Sequence, residues 1–230
     1  MAQVRRVAVI GGGWAGLAAA VHATRAGHHV TVLEMAPQLG GRARQIDSHG
    51  VALDNGQHIL IGAYTETLAL MQFVGVDLTR ALRRMPLRVT YPDGTGLQMA
   101  AGKPVPAFLR AIATYPGWTR ADKWALLRTA GGWALRGFRC DPSWTVSRLT
   151  ATLPAAVRDA LLDPLCVAAL NTPADQASAQ VFLRVLKDAL FSGPGSADLL
   201  LPRWRLGALW PDPGGRWLAA HGAHVRLAAP

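Results

Sequence analysis

Gly11, Gly13 and Gly16, with Glu34 placed 23 residues after Gly11, form a set whose spacing suits the binding of a dinucleotide. In such a set the first glycine permits a sharp turn off a strand and the second lets backbone approach a pyrophosphate. The third lets a helix pack closely on the sheet. The N–H groups at the start of that helix, around Trp14 and Ala15, would point at the phosphates together with the positive end of the helix dipole. Glu34 stands where a carboxylate accepts hydrogen bonds from a ribose diol, and its charge would repel a 2′-phosphate. These residues therefore point to FAD or NAD rather than NADP.

The flanking sequence supplies the elements that such a set needs. Residues 7–10 are a short apolar run, an alanine- and leucine-rich stretch extends to Gly27, and residues 30–33 are a second, largely β-branched run ending at Glu34. The order is strand, turn, helix, strand, acid. Residues 7–24 carry no charge and follow two arginines, which also resembles a targeting or membrane segment. Four glycines within six residues, each costing about 1 kcal/mol in a helix interior, oppose that reading, as does the strand that follows directly.

The 230 residues can bury one sizeable core, or one domain and part of another, and half of them are hydrophobic. The formal net charge is +10, with arginine supplying 21 of the 24 basic residues. These arginines are scattered and accompany no nucleic-acid motif, so nucleic acid is not an expected partner. Cys140 and Cys166 lie far apart outside any CxxC spacing, which argues against a disulfide framework or a metal site and places the chain in a reducing cytoplasm. No GxSxG nucleophile elbow is present.

Further along, Gly40 and Gly41 precede Arg42, an arrangement that brings flexible backbone and a guanidinium to the phosphate side of a nucleotide, or else forms a surface turn. Residues 45–51 read as a connection. Gly56 and Gln57, before an apolar run, suit backbone passing close to a flat ligand; a buried edge strand would look much the same. A helix is expected over 65–75, a hairpin around Tyr91-Pro92-Asp93-Gly94, and helices over 157–170 and 176–191. Over 120–139, Leu126, Leu127, Ala130, Trp133 and Ala134 share one arc with arginines opposite. An ordinary core-facing helix is the preferred reading, with a membrane-surface helix as the alternative. From Trp217 a helix leads to a strand over 224–227.

GGGWAG, Glu34, LGGRAR and LDNGQHILIGAY together resemble the N-terminal half of the FAD-dependent amine oxidase and phytoene desaturase superfamily. Within it, residues 164–186 and 198–227 are similar to the squalene-associated FAD-dependent desaturases, the hydroxysqualene dehydroxylases of hopanoid pathways. The resemblance implies an α/β fold: a Rossmann-like FAD-binding domain in residues 1–63 and 212–230, with a largely helical substrate domain, lining an apolar cavity, in 64–211. FAD would be held by Gly11, Gly13, Trp14, Ala15, Gly16, Glu34, Gly40, Gly41, Arg42, Gly56 and Gln57, and by the backbone of Val225. The implied reaction is reductive dehydroxylation of hydroxysqualene to squalene, with carotenoid desaturation, amine oxidation or an inactive nucleotide-binding fragment as alternatives.

The implied partners are a lipophilic isoprenoid, an unidentified electron donor and a peripheral contact with the inner membrane face. Asp54 and His58 are the titratable residues in the stretch expected beside the flavin, and are the candidate proton donors. Family members continue well beyond the position of Pro230, with a glycine-rich, acidic segment that nothing here matches, so weak FAD binding is expected.

Overall fold

The computed structural model describes residues 3–55 and 58–229. It begins with β1 (Arg6–Ile10), α1 (Trp14–Arg25), β2 (His29–Leu33), β3 (Gln45–Ser48) and β4 (Val51–Asp54). Next come β5 (Leu60–Ile61), α2 (Thr65–Phe73), α3 (Leu78–Ala81), β6 (Leu82–Met85), β7 (Arg88–Thr90) and β8 (Gly96–Gln98). The helices α4 (Pro104–Thr114), α5 (Arg120–Leu135), α6 (Val146–Thr150) and α7 (Ala155–Val157) lead into a π-helical turn over Arg158–Leu162. The order ends with α8 (Asp163–Leu170), α9 (Ala179–Phe191), β9 (Leu199–Pro202), α10 (Leu206–Leu209), α11 (Pro211–Ala220) and β10 (His224–Arg226).

Two compact units result. The first contains residues 1–60, 64–84 and 200–230, and the second 61–63 and 85–199. Sequence reading placed these borders at 63 and 211. The difference has a packing cause: Leu68 and Met71 of α2 and Leu206, Leu209 and Trp210 around α10 are buried in the same core as Leu17 and Val21 of α1.

In the first unit β1, β2 and β10 form a parallel sheet in the order β1-β2-β10, with Val9 opposite Val32 and Val225 opposite Val32 on its other side. Parallel strands need a crossover, and α1 and α11 supply the packed layer by burying Leu17, Ala20, Val21 and Leu218 with Val30 and Val32. This is the Rossmann-like arrangement expected from the sequence. Residues 45–51, read as a simple connection, instead form the antiparallel β3–β4 pair, turned by His49 and Gly50 at positive φ.

The second unit is mainly helical. Its β7–β8 hairpin is the one expected from the Tyr91-Pro92-Asp93-Gly94 turn, closed by Gly94 N–H donating to the Tyr91 carbonyl. A reciprocal capping box starts α5: Asp122 N–H donates to Thr119 Oγ1 at 3.2 Å and Thr119 N–H donates to Asp122 Oδ2 at 2.9 Å. Leu126 and Trp133 are buried on its inner face, in line with the core-facing reading.

The helix expected over 157–170 is interrupted by the π turn, for which Pro164 gives a reason. A proline has no N–H to offer the Ala160 carbonyl four residues earlier. That carbonyl accepts the Tyr91 hydroxyl at 3.0 Å instead, while the Ala156 carbonyl accepts Trp118 Nε1–H at 3.1 Å. Burial, then the neighbouring Asp159, pushes the Asp163 carboxyl above its usual range at this junction. Tyr91→Phe should therefore lower unfolding stability by about 1–2 kcal/mol in urea titration by stranding the Ala160 carbonyl. An unchanged midpoint would show that water replaces the hydroxyl at no cost.

Candidate functional site

The geometry of the first unit centres on two stretches of backbone that cross. Gly40 N–H donates to the Gly12 carbonyl at 2.9 Å, and Gly13 and Gly40 form a parallel bridge. A Cβ on Gly41, whose φ is +60°, would stand 3.2 Å from the Gly13 Cα, and one on Gly40 would stand 2.8 Å from the Ala43 carbonyl oxygen. Only glycine fits so close an approach. Below the crossing, a Cβ on Gly16 would collide with the Gly11 carbonyl oxygen, which is why α1 can start immediately after the turn.

Glu34 directly follows β2 and is 9% exposed. Its Oε2 accepts the Gly12 N–H and its Oε1 accepts the Ala36 N–H at 2.8 Å. The carboxylate is thus fixed by backbone before any ligand arrives, and a carboxylate with about four lone-pair sites keeps acceptor capacity for a diol. On β10, Arg226 offers its carbonyl to Glu34 N–H at 2.9 Å and places Val225 beside β2.

This cradle fits a dinucleotide by several observations. Gly13 caps α1 without a side-chain bond, so the first-turn N–H groups of Trp14 and Ala15 have no cap among the described residues. The space over Gly11 is open, and over Gly13 the nearest atom to an added Cβ is the Gly41 Cα at 3.9 Å. Trp14 Nε1 and Arg44 Nε are buried beside the crossing with no hydrogen-bond partner among the described residues.

The other expected site residues divide. Arg42 is exposed, and its carbonyl accepts Asn55 Nδ2–H at 3.1 Å. Gly56 and Gln57 lie outside the described residues. Asp54 Oδ1 accepts Leu206 N–H at 3.0 Å and so caps the start of α10, a structural duty beside its candidate role. His58 is half-buried.

Sequence spacing did not single out Trp210. It is 2% exposed and its Nε1–H donates to the Trp14 carbonyl at 3.2 Å, tying α1's first turn to α11, while a Cβ added to Gly214 would stand 3.7 Å from its ring. A tryptophan before Pro211 and two glycines was the available signal.

The second unit holds a cavity of about 310 Å³, whose sixteen lining residues are all aliphatic, aromatic or glycine. Phe108, Leu126, Trp133, Leu161, Leu186 and Phe191 represent the walls contributed by α4, α5, the π turn and α9. Cys140 and Cys166 are free thiols, and burial pushes both above the usual thiol range.

Comparison with known proteins agrees with the Rossmann-like arrangement of the first unit. A family model described as an NAD(P)-binding Rossmann-like domain matches residues 9–74. The hydroxysqualene dehydroxylase of Rhodopseudomonas palustris is 30% identical over 97% of this chain and 53% of its own length. A probable zeta-carotene desaturase of Synechococcus elongatus is 41% identical over 71 residues, 30% of this chain and 15% of that protein. Among solved structures, an oxidoreductase from Methanosarcina mazei superposes with TM-score 0.64 at 16% identity, covering 98% of this chain and 51% of the other. Putrescine oxidase gives 0.61 at 21%, covering 99% and 51%. The chain spans about half the length of the curated hydroxysqualene dehydroxylase it matches.

Glu34→Gln replaces one acceptor oxygen with an NH₂ that faces a backbone N–H. Nucleotide affinity measured by calorimetric titration should fall by about tenfold or more. Equal affinity would remove Glu34 from the site.

Proposed function

We propose that this chain, a relative of the hydroxysqualene dehydroxylases along nearly its whole length, carries the nucleotide cradle and hydrocarbon pocket of an FAD-dependent oxidoreductase. Its reaction is reductive removal of the hydroxyl of hydroxysqualene. The observation that carries the substrate reading is the second unit's cavity, which offers no charged side chain to a ligand. At about 310 Å³ it lies at the small end of the range of about 300–1,000 Å³ for ligand sites, and would take a segment of a long isoprenoid. The match to hydroxysqualene dehydroxylase runs along 97% of the chain, whereas the zeta-carotene desaturase matches cover 30% to 48%. This favours dehydroxylation over desaturation.

Bound FAD would supply two-electron hydride chemistry. The protein's part is to hold and exclude. The α1 N-terminus and the Gly11–Gly13 turn would hold the pyrophosphate, Glu34 the ribose, and Val225's backbone the adenosine side. In the net change a hydride replaces the hydroxyl, which takes up a proton and departs as water. Asp54 and His58 are the proposed proton donors, since a carbinol hydroxyl leaves only when protonated. Asp54 also caps α10, so its replacement must keep that acceptor to report on chemistry alone.

Two measurements test the proposal. His58→Ala and Asp54→Asn should each lower the turnover of hydroxysqualene by about 10²-fold or more while FAD stays bound; Asn keeps an Oδ1 that can accept the Leu206 N–H, so the α10 cap is retained in that variant. Unchanged turnover in both would discard the proton-donor assignment. Separately, protein incubated with FAD and desalted should stay yellow and, under chemical reduction, convert hydroxysqualene to squalene. Ala130→Trp, which fills the cavity, should raise KM by about tenfold without loss of colour. A protein that is colourless once unbound FAD has been removed by desalting would support the inactive-fragment alternative, and consumption of phytoene or an amine in place of hydroxysqualene would support the oxidative ones.

A further inference from the structure

Four buried side-chain polar atoms lack a hydrogen-bond partner among the described residues, and two of them, Trp14 Nε1 and Arg44 Nε, belong to the glycine crossing. Arg44 is the costlier of the two, because burying an ionised group without a partner is far less favourable than burying a neutral one. Its backbone is fixed from both sides. Ala43 N–H donates to the Gly40 carbonyl at 3.1 Å, and the Arg44 carbonyl accepts Asn55 N–H at 2.8 Å. A Cβ on Gly40 would stand 3.2 Å from the Arg44 Cβ, so this side chain departs from the crossing itself. Trp14 opens α1 directly after Gly13, the residue that bridges Gly40.

The chain offers the half-buried guanidinium of Arg44 no counter-charge. It makes no ion pair among the described residues. Three acids of the same unit are committed elsewhere: Glu34 to the Gly12 and Ala36 N–H groups, Asp54 to Leu206 N–H, and Asp212 to Arg205 at 3.5 Å. Arg158, whose Nε is also unpartnered, differs in having Asp163 close enough to feel its charge. Both orphaned atoms at the crossing are donors, and one carries charge. The partner that answers them is an acceptor-rich anion. A guanidinium fork matches the oxygens of a phosphate, and a diphosphate has oxygens to spare for an indole N–H.

We infer that Arg44, together with the indole N–H of Trp14, binds the diphosphate of the dinucleotide cofactor, and that the apo chain bears the cost of an unpaired guanidinium for it. This rests on the FAD reading of the cradle.

The test is calorimetric titration of the full chain with FAD, ADP and adenosine. Arg44→Gln should weaken FAD and ADP by about tenfold or more and leave adenosine unchanged, because only the first two carry phosphate. Trp14→Phe, which keeps an aromatic ring and removes the N–H, should weaken FAD by about fivefold. Arg128→Gln, at an exposed arginine of the second unit, makes the same change in net charge and should leave all three affinities as they are. Thermal unfolding without ligand supplies a readout that a structural role would move the other way. Arg44→Gln should melt no lower than wild type, since it removes a half-buried charge that the chain does not pair. A lower midpoint with equal loss of all three ligands would mean that Arg44 holds the fold, and would overturn the inference. Unchanged FAD affinity in Arg44→Gln would overturn it and leave the cofactor reading intact. Wild-type protein that binds neither FAD nor ADP would remove the cofactor reading, and the inference with it.

Discussion

The first unit depends on one close approach, the crossing of the Gly12–Gly13 and Gly40–Gly41 backbones. With a bond from Gly40 N–H to the Gly12 carbonyl and only 3.2 Å between a would-be Cβ on Gly41 and the Gly13 Cα, a side chain at Gly41 would press the two stretches apart. Several neighbouring contacts converge on it. Glu34 can bond the Gly12 N–H only while the turn is held in this place, and Leu39 reaches both the space beside Gly12 and that beside Gly215. Trp210 adds a bond from the far end of the chain to the Trp14 carbonyl. The crossing thereby fixes where α1 starts, and with it where a helix dipole and uncapped N–H groups can meet an anion.

The second unit solves a different problem, which is to keep a cavity open in an apolar core. A void lined by carbon forfeits dispersion contacts, so its walls must be stiff enough not to collapse. The stiffness is visible in the fastening of the wall helices. Thr119 and Asp122 cap α5, Ser178 caps α9, and Tyr91 and Trp118 donate to the Ala160 carbonyl in the π turn and the Ala156 carbonyl in α7. Trp118 is itself stacked on Tyr115, with ring centres 4.0 Å apart. Polar bonds are thus kept to the backs and ends of the helices, and hydrocarbon is left to line the space.

Much of the candidate site was legible in the sequence because its physics is local. The spacing of Gly11, Gly13 and Gly16 states the turn, the run ending at Glu34 states the second strand, and the arc from Leu126 to Trp133 states which side of α5 is buried. The hairpin at Tyr91-Pro92-Asp93-Gly94 follows from turn chemistry in the same way. Less legible was the β3–β4 pair, whose polar residues carry no strong alternation, and the break before Pro164, which the apolar pattern of 157–170 conceals.

The sequence by itself determined the parallel βαβ unit and the chemistry of its turn, since each of those signals lies within about one turn of helix or one strand. Only the tertiary structure decided where the units divide, that Asp54 caps α10, and that Trp210 braces α1. These are contacts between residues 152 and 196 positions apart, and no local spacing encodes them. They arise when the apolar side chains of α1, α2, α10 and α11 gather in one core and bring those polar atoms within reach of each other.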